Sequence, residues 1–217
     1  MEKAIMHCHH ELEADLHYES YITDKIMAKW FNDSYSISKH LYTLYSIARG
    51  INAKNIVEIG FGRSSFVLAR AAAENKGKFI TCDTRDFSYL LNDQEKKVTT
   101  FIHNKSDFVW EEVKETGIDF AFLDYFSDGE LSPKFVIREI KKCINLMKTN
   151  GIIVIHDTVV EKYAISKVMG NKKLLGKRKD LEIISLPYNY GLGLIRITGK
   201  SDYGRLDDQF NKKKMEL

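Results

Sequence analysis

Three ionisable side chains directly follow two apolar segments whose composition is typical of buried strands. Asp124 follows Ile118–Leu123, and His156 and Asp157 follow residues 152–155. We expect these segments to be neighbouring strands about 5 Å apart, so that the three side chains meet at one edge of a sheet. Because an isolated charge in such surroundings is costly, a functional role is favoured over packing, although Asp157 could instead cap a helix. A neutral histidine at this edge can accept a proton near pH 7.

A second group of residues forms a turn between a strand and a helix. Glu58 lies in a short β-branched run, Gly60 and Gly62 follow it, and Ser64 and Ser65 can begin a helix. The backbone of such a turn can approach a ligand closely, with the helix N-terminus facing that ligand. A carboxylate is out of place in a loop built only for phosphate, so it favours a ligand that carries an ammonium or a sulfonium. The alternative is a purely structural turn.

The next strand also ends in an acidic residue. Asp83 lies 25 residues after Glu58 and offers two acceptor oxygens to the paired hydroxyls of a ribose. This geometry would serve NAD and S-adenosylmethionine (SAM) equally, and Asp83 could also be a helix cap. After the third strand, Ser106 and Asp107 can be explained by a capping box at the start of the next helix.

Strands and helices alternate from residue 55 onward, which predicts a doubly wound α/β sheet. Five strands joined by crossovers are expected at Asn55–Ile59, 78–82, 98–103, Ile118–Leu123 and 152–155, with helices at 64–75, 106–116, 132–148 and around 159–169. The last two strands, Leu181–Leu186 and 192–198, are separated by too few residues for a helical crossover and should form an antiparallel hairpin.

These segments together resemble the class I SAM-dependent methyltransferases. The runs from Ile118 to Asp124 and from Asn150 to Thr158 look like the group that includes macrolide and sugar O-methyltransferases, and more distantly catechol O-methyltransferase. The resemblance covers nearly the whole of residues 36–198. It implies a Rossmann-like, seven-stranded, mainly parallel sheet with helices on both faces and a C-terminal antiparallel β-hairpin.

The resemblance also implies where the cofactor SAM would bind. Glu58 would lie near the methionine ammonium, Asp83 would bind the ribose, and Ser106 and Asp107 would lie near the adenine. The expected cofactor-binding residues are Glu58, Gly60, Phe61, Gly62, Ser64, Ser65, Asp83, Thr84, Ser106, Asp107 and Asp124.

Many enzymes of this group hold a divalent cation, whose ligands here would be Asp124, His156 and Asp157. The histidine departs from the usual acid and suits zinc or iron better than magnesium. The loop after the fourth strand departs as well, because Ser127 stands where the catechol enzymes have a catalytic lysine. Two mechanisms therefore stay open. A cation could lower the pKa of the substrate hydroxyl, or His156 could act with Asp124 as a metal-free base.

Composition limits the class of protein. The 217 residues, 44% hydrophobic, suit one domain, and a dispersed net charge of +3 argues against nucleic acid. No apolar run approaches the roughly 20 residues that span a bilayer. Three distant cysteines without a CxxC motif suggest a reducing, cytoplasmic location.

We expect an N-terminal helical cap over residues 1–50, a SAM-binding domain over 51–200 and a polar tail over 201–217.

We therefore expect a SAM-dependent enzyme that methylates a hydroxyl of a small-molecule acceptor. A nicotinamide-dependent oxidoreductase is disfavoured, because Ser65 replaces the third glycine of GxGxxG and the chain ends in a hairpin. A non-catalytic SAM-binding or scaffold protein is a further alternative, since the loop after the fourth strand lacks the expected lysine and histidine. Aromatic residues are dense in the first 50 positions, which predicts that part of this region buries against a second copy in a homodimer.

Overall fold

The structure is a computed structural model that describes residues 37–124, 131–171, 175 and 180–198. Its strands are β1 Asn55–Ile59, β2 Lys78–Asp83, β3 Thr99–His103, β4 Ile118–Leu123, β5 Met147–His156, β6 Leu181–Leu186 and β7 Leu192–Ile197. Its α-helices are α1 Leu41–Gly50, α2 Arg63–Glu74, α3 Asp93–Val98, α4 Ser106–Glu112, α5 Pro133–Leu146 and α6 Ala164–Met169. Short 3₁₀ turns cover Ile37–His40 and Ser88–Leu90.

The seven strands form one sheet in the order β3-β2-β1-β4-β5-β7-β6. The first five are parallel, and β7 runs antiparallel to both β5 and β6, which confirms the predicted fold class and the terminal hairpin. The strand order reverses between β1 and β4, and ligands of doubly wound sheets bind at such a point. In register, Ile59 lies beside Leu123 and Leu123 beside Ile155. The residues that follow β1, β4 and β5 therefore lie together at one edge of the sheet.

Two hydrophobic clusters lie on the two faces of the sheet. Side chains of α1 and α2 pack on one face, and side chains of α4, α5 and α6 pack on the other. The period of two along β1 accounts for this, since Ile56 belongs to the first cluster and Val57 to the second. Among the described residues, no helix is long and apolar enough to cross a membrane.

The predicted N-terminal region is described only from residue 37. There α1 buries Leu41, Leu44 and Ala48 in the cluster that it shares with α2. Residues 1–36, the loop that contains Ser127, and the predicted tail 201–217 lie outside the described residues. The division of the chain into these regions and the homodimer stay predictions.

The largest differences from the expected elements surround α5 and α3. The helix expected over 132–148 ends at Leu146, because Met147 already pairs with Ile118 as the first residue of β5. This pairing shifts register before Phe120, and Asn150 takes a φ of 66° within β5.

Helix α3 was not expected. Asn92 accepts from two backbone N–H groups at its start in a capping box with Glu95, a signal present in the sequence. Helices α4 and α6 are shorter than predicted.

Gly77, between α2 and β2, tests how closely this connection packs against Lys54, the residue before β1. A Cβ at this position would lie 2.4 Å from the carbonyl oxygen of Lys54, which is held by the N–H of Lys78 at 2.6 Å. We expect Gly77→Ala to lower the free energy of unfolding by about 1–3 kcal/mol, the scale of overpacking. Urea unfolding followed by circular dichroism measures this. Gly50→Ala is the control, because its Cβ would meet nothing within 4 Å, and equal destabilisation by both changes would contradict the prediction.

Candidate active site

The loop between β1 and α2 forms one wall of a cavity of about 320 Å³. Gly60 takes a φ of 98°, and a Cβ there would lie 3.0 Å from the carbonyl oxygen of Asp124. The loop thus runs directly against the end of β4. Its backbone is fixed, since Gly60 N–H donates to the Cys82 carbonyl at 3.1 Å and Gly62 N–H to Ser65 Oγ at 2.9 Å. Of the predicted cofactor residues, the cavity is lined by Gly60, Asp83, Thr84, Ser106 and Asp107.

Glu58 lies beneath this loop and is completely buried. Its carboxyl accepts hydrogen bonds from Ser64 Oγ at 2.6 Å, from Ser65 Oγ, and from Thr81 Oγ1 at 3.0 Å. Burial raises the pKa of Glu58 to about 8. Three hydroxyls thus occupy three of the acceptor positions of the carboxyl, and the expected contact with a ligand ammonium stays a prediction. Ser64 and Ser65 likewise direct their hydroxyls to Glu58, so all three residues hold the first turn of α2 against the sheet.

Asp83 connects the end of β2 to the same loop. Its Oδ2 accepts from the N–H of Phe61 at 3.1 Å, and its Oδ1 accepts from the N–H of Arg85 at 3.0 Å. Each carboxylate oxygen can accept two hydrogen bonds, so Oδ2 keeps one acceptor position while the side chain lines the cavity. Asp83 can therefore orient the loop and still bind a hydroxyl.

The far end of the cavity contains an acid that the sequence analysis did not identify. Glu139 is buried and accepts hydrogen bonds from Ser106 Oγ at 3.3 Å and Trp110 Nε1 at 3.2 Å, and Lys142 lies 3.0 Å from it. Asp107 pairs with the same lysine at 2.6 Å. These contacts anchor α4 on α5. A charged residue within the apolar stripe of α5 was the signal that could have identified Glu139.

The three ionisable residues predicted to meet do lie together. His156 Nδ1 is 2.9 Å from Asp124 Oδ1 and 3.6 Å from Asp157 Oδ2. One ligand atom from each of the three lies within 4.8 Å of the others, and no second cluster of this kind exists in the described part of the chain. The parallel pairing of β4 with β5 explains the meeting, and Asp157 takes a φ of 61° as the chain leaves β5.

The two ring nitrogens of His156 have different surroundings. Burial disfavours the charged ring, but the nearby Asp124 and Asp157 carboxylates outweigh it and raise the pKa of His156 above its usual value. Burial raises the pKa of Asp157 to about 6, against the opposing effect of His156. Nδ1 faces the carboxylates, whereas Nε2 is buried and has no hydrogen-bond partner among the described residues. A proton or a cation at Nδ1 would thus leave Nε2 to a different ligand.

His40 is a further member of this site that the sequence analysis did not identify. Its ring lies against His156, with the ring centroids 5.3 Å apart, and against Tyr188 at 4.8 Å. Its Nε2 bonds to the carbonyl of Asn189 at 2.8 Å, and burial lowers the pKa of His40 to about 4. The ring is therefore neutral near pH 7. The sequence signal was its helical spacing from the apolar residues at 37 and 44, which puts a histidine on a buried face.

Comparison with known proteins finds a family model that matches the part of the chain that carries this site. Residues 57–158 match the family model described as a methyltransferase domain. A search of curated proteins found no match. Solved structures do match, among them the O-methyltransferase TomG of Streptomyces achromogenes, crystallised with SAM. It is 17% identical with a TM-score of 0.64, over 86% of this chain and 96% of TomG.

Two further solved structures share the fold. An O-methyltransferase from Bacillus cereus, in complex with SAH, is 14% identical with a TM-score of 0.58, over 87% of this chain and 90% of its own. The SAH-bound methyltransferase PaMTH1 of Podospora anserina is 17% identical with a TM-score of 0.60, over 87% of this chain and 94% of its own. None of these three proteins is described as a nicotinamide-dependent enzyme.

The buried Glu58 carboxyl should impose a pH dependence on stability. Its pKa is about 8 in the folded protein against an ordinary value of 4.5, so the folded state binds the extra proton between these values. The contribution of Glu58 to stability is then fully present below pH 4.5 and is lost as pH rises through 8. One pH unit corresponds to about 1.4 kcal/mol, which gives a loss of roughly 3–5 kcal/mol across the interval.

Glu58→Gln isolates this effect, because the amide keeps the shape of the side chain and does not titrate. We expect the stability of wild type relative to Glu58→Gln to fall by that amount between pH 4.5 and 8, measured by urea unfolding at a series of pH values. The titrations of His156 and Asp157 are common to both proteins and cancel in the difference. Parallel stability curves would contradict the prediction.

Proposed function

We propose that the protein transfers the methyl group of SAM to a hydroxyl of a small molecule, a proposal supported by the match of residues 57–158 to a methyltransferase domain model. The observation that carries the proposal is the contact between the glycine loop and Asp124, described above. It brings a ligand cavity and a hydrogen-bonded acid–histidine pair to the two sides of one strand end. The SAM and SAH bound to the structurally similar TomG and B. cereus enzymes support the choice of cofactor.

The cavity beside Gly60 has the features that SAM requires. Its volume falls within the range of small-molecule sites, and Gly60 places the loop backbone in its lining. Asp83 would accept from one ribose hydroxyl with the remaining acceptor position of Oδ2, and Ser106 and Asp107 would border the adenine. Bound SAM would supply a methyl group on a sulfonium, which is a good leaving group.

Since the leaving group is already activated, the protein has to align the acceptor hydroxyl and remove its proton. His156 is suited to this task in its neutral form. Asp124 accepts the Nδ1–H hydrogen bond, which fixes the ring and leaves the lone pair at Nε2 for the proton of the hydroxyl. Asp124 also stabilises the ring once it becomes charged.

A divalent cation is the second route to an activated hydroxyl. The two carboxylates and Nδ1 of His156 lie close enough together to converge on one ion. This set of donors suits zinc or iron better than magnesium, which prefers oxygen ligands. The cation would lower the pKa of a bound hydroxyl. The two routes exclude each other at Nδ1, which must be protonated for the hydrogen bond with Asp124 and deprotonated to bind a cation.

The ribose assignment is tested by Asp83→Ala. Loss of charge-assisted hydrogen bonds should weaken SAH binding by roughly 1.5–3 kcal/mol in calorimetry. Asp86→Ala is the matched control, because Asp86 lies three residues further on, is bonded to Ser88 and does not line the cavity. If Asp83→Ala binds SAH as tightly as wild type, the assignment is wrong.

The role of His156 is tested by His156→Ala, with formation of SAH as the measure of methyl transfer. We expect SAH affinity to change little and transfer to fall by about 10²–10⁴-fold, the contribution of a positioned base. Asp124→Asn should also lower the rate of methyl transfer, since it weakens the hydrogen bond to Nδ1 of His156. Activity that survives a chelator would identify His156 as the base, whereas activity lost to the chelator and restored by one divalent ion would identify a metal centre. Full activity in His156→Ala would refute both mechanisms.

A further inference from the structure

The ring of His156 is closed off from solvent in this structure, although the proposed function requires a substrate to reach it. The residue is 3% exposed, and its Nε2 is buried without a hydrogen-bond partner among the described residues. The cavity beside Gly60 does not include His156 in its lining. Because Nε2 is the atom proposed to take the proton of the hydroxyl, whatever covers the ring has to move before an acceptor can meet it.

Two rings cover His156 on the side of the β6–β7 turn, which comprises residues 187–191. The ring of His40 packs on His156 with the centroids 5.3 Å apart, and Tyr188 packs on His40 at 4.8 Å. Tyr188 is 43% exposed and forms the outer layer. The turn also holds His40 in place, because His40 Nε2 donates to the Asn189 carbonyl at 2.8 Å. Movement of the turn therefore releases the His40 ring from above His156.

The other described neighbours of His156 are fixed by the core. Phe122, with its ring centroid 6.5 Å away, is completely buried in β4, and the N–H of Asp124 is hydrogen-bonded to the end of β1. The 3₁₀ turn before α1 is tied to α2, since Arg63 donates to Ser38 Oγ at 2.7 Å. The β6–β7 turn, by contrast, connects the last two strands and can move without disturbing either hydrophobic cluster. Among the described elements around this ring, it moves at the least cost.

The backbone of this turn is strained at Tyr190. Asn189 and Tyr190 take φ values of 49° and 69°, and the N–H of Gly191 donates to the Tyr188 carbonyl at 3.0 Å. Positive φ at both central residues is typical of a type I′ turn, which favours asparagine followed by glycine. Asparagine tolerates this conformation, whereas it is costly for a bulky aromatic residue. The Tyr190 side chain is 53% exposed, so burial does not offset the strain.

We propose that the β6–β7 turn is a gate over His156, closed in this structure, that opens to admit the methyl acceptor. The proposal rests on the proposed function, because the gate serves the reaction at Nε2. Opening releases the strain at Tyr190, so the closed state is favoured by only a small margin. Closing returns the rings of Tyr188 and His40 to the site and excludes water from the reaction.

A small number of polar contacts oppose this strain and hold the gate closed. Thr43 Oγ1 and the Tyr188 hydroxyl are 3.0 Å apart, which joins the turn to α1. The N–H of Val159 donates to the Tyr190 carbonyl at 3.2 Å, which joins the turn to the chain beyond β5. The balance between strain and these hydrogen bonds can therefore be changed in either direction by single substitutions outside the catalytic pair.

Access to His156 is measured by its reaction with diethyl pyrocarbonate, a small reagent that modifies neutral imidazole. The rate is followed by mass spectrometry of the peptide that contains His156, and it reports the population of the open state. His103, which is exposed, is the internal reference in every sample. In wild type, His156 should react more slowly than His103. Equal rates would show that no gate closes the ring and would overturn the proposal.

Tyr190→Gly removes the strain of the closed turn. We expect the modification of His156 to slow by roughly 5–10-fold, because a bulky residue at positive φ disfavours the closed state by a factor of that size. Lys76→Gly is the matched control, since Lys76 has a φ of 53° and is exposed but lies beside the start of β2, at the opposite end of the strands from His156. Lys76→Gly should leave the rate unchanged.

Tyr188→Phe shifts the gate in the opposite direction. It keeps the ring that packs on His40 but removes the hydroxyl that meets Thr43, so we expect His156 to react roughly 2–10-fold faster, the factor for one hydrogen bond. Thr43→Val removes the same bond from α1 and should have the same effect. The double variant should then react no faster than either single variant, because the two changes remove one shared interaction.

The proposal is wrong if Tyr190→Gly leaves the rate unchanged or if Tyr188→Phe does not raise it. It is also wrong if Lys76→Gly slows the reaction as much as Tyr190→Gly does, since His156 would then be exposed only by unfolding of the whole domain. Calorimetry of SAH distinguishes the two levels of failure. Protein that binds SAH but fails these tests refutes only the gate, whereas wild-type protein that does not bind SAH refutes the proposed function.

Discussion

The buried carboxyl of Glu58 is the interaction on which the rest of the site depends. It joins three elements at one point, because the carboxyl belongs to β1 and the hydroxyls that it binds belong to α2 and β2. With α2 held in this way, Gly60 and Gly62 have one path between strand and helix. Gly60 of this loop then lines the cavity. The buried carboxyl of Glu58 thus helps to determine the shape of the cavity surface.

The alignment of the strand ends brings this loop next to the other part of the candidate active site. Asp124 N–H donates to the carbonyl of Ile59 at 3.1 Å, so the residue after β4 is hydrogen-bonded to the last residue of β1. From there Asp124 reaches His156 across the next strand pair. The cavity and the acid–histidine pair are therefore neighbours because of sheet register, and each would move if the other did. Rigid strands are suited to this purpose, since small errors in position are costly in a reaction that needs in-line attack.

The sequence predicted the parts of the site that follow from strand ends. Asp124, His156 and Asp157 were expected at one edge because parallel strands all end on the same side of a sheet. The hydrogen bonds of Glu58 to α2 and β2 were not predicted, because the acid was interpreted from its neighbours along the chain. Its partner in the next strand is Thr81, whose side chain projects from the same face. His40 could not be placed, because its contact with Asn189 joins residues 149 positions apart. His40 lies outside the motifs that carry the family resemblance, whereas Glu58 lies within the first of them.

The antiparallel hairpin gives the two halves of the site different freedom to change in evolution. The cofactor side is built from β1, β2 and the loop between β1 and α2, whose hydrogen bonds interlock. The side around His40 is built from the β6–β7 turn and from a 3₁₀ turn that is itself tied to α2, since Arg63 donates to Ser38 Oγ at 2.7 Å. Insertions or substitutions in the β6–β7 turn can therefore accumulate while the cofactor machinery stays intact. Divergence of substrate preference among relatives of this protein should then be concentrated at the antiparallel edge of the sheet, and the parallel strands should retain the ancestral chemistry.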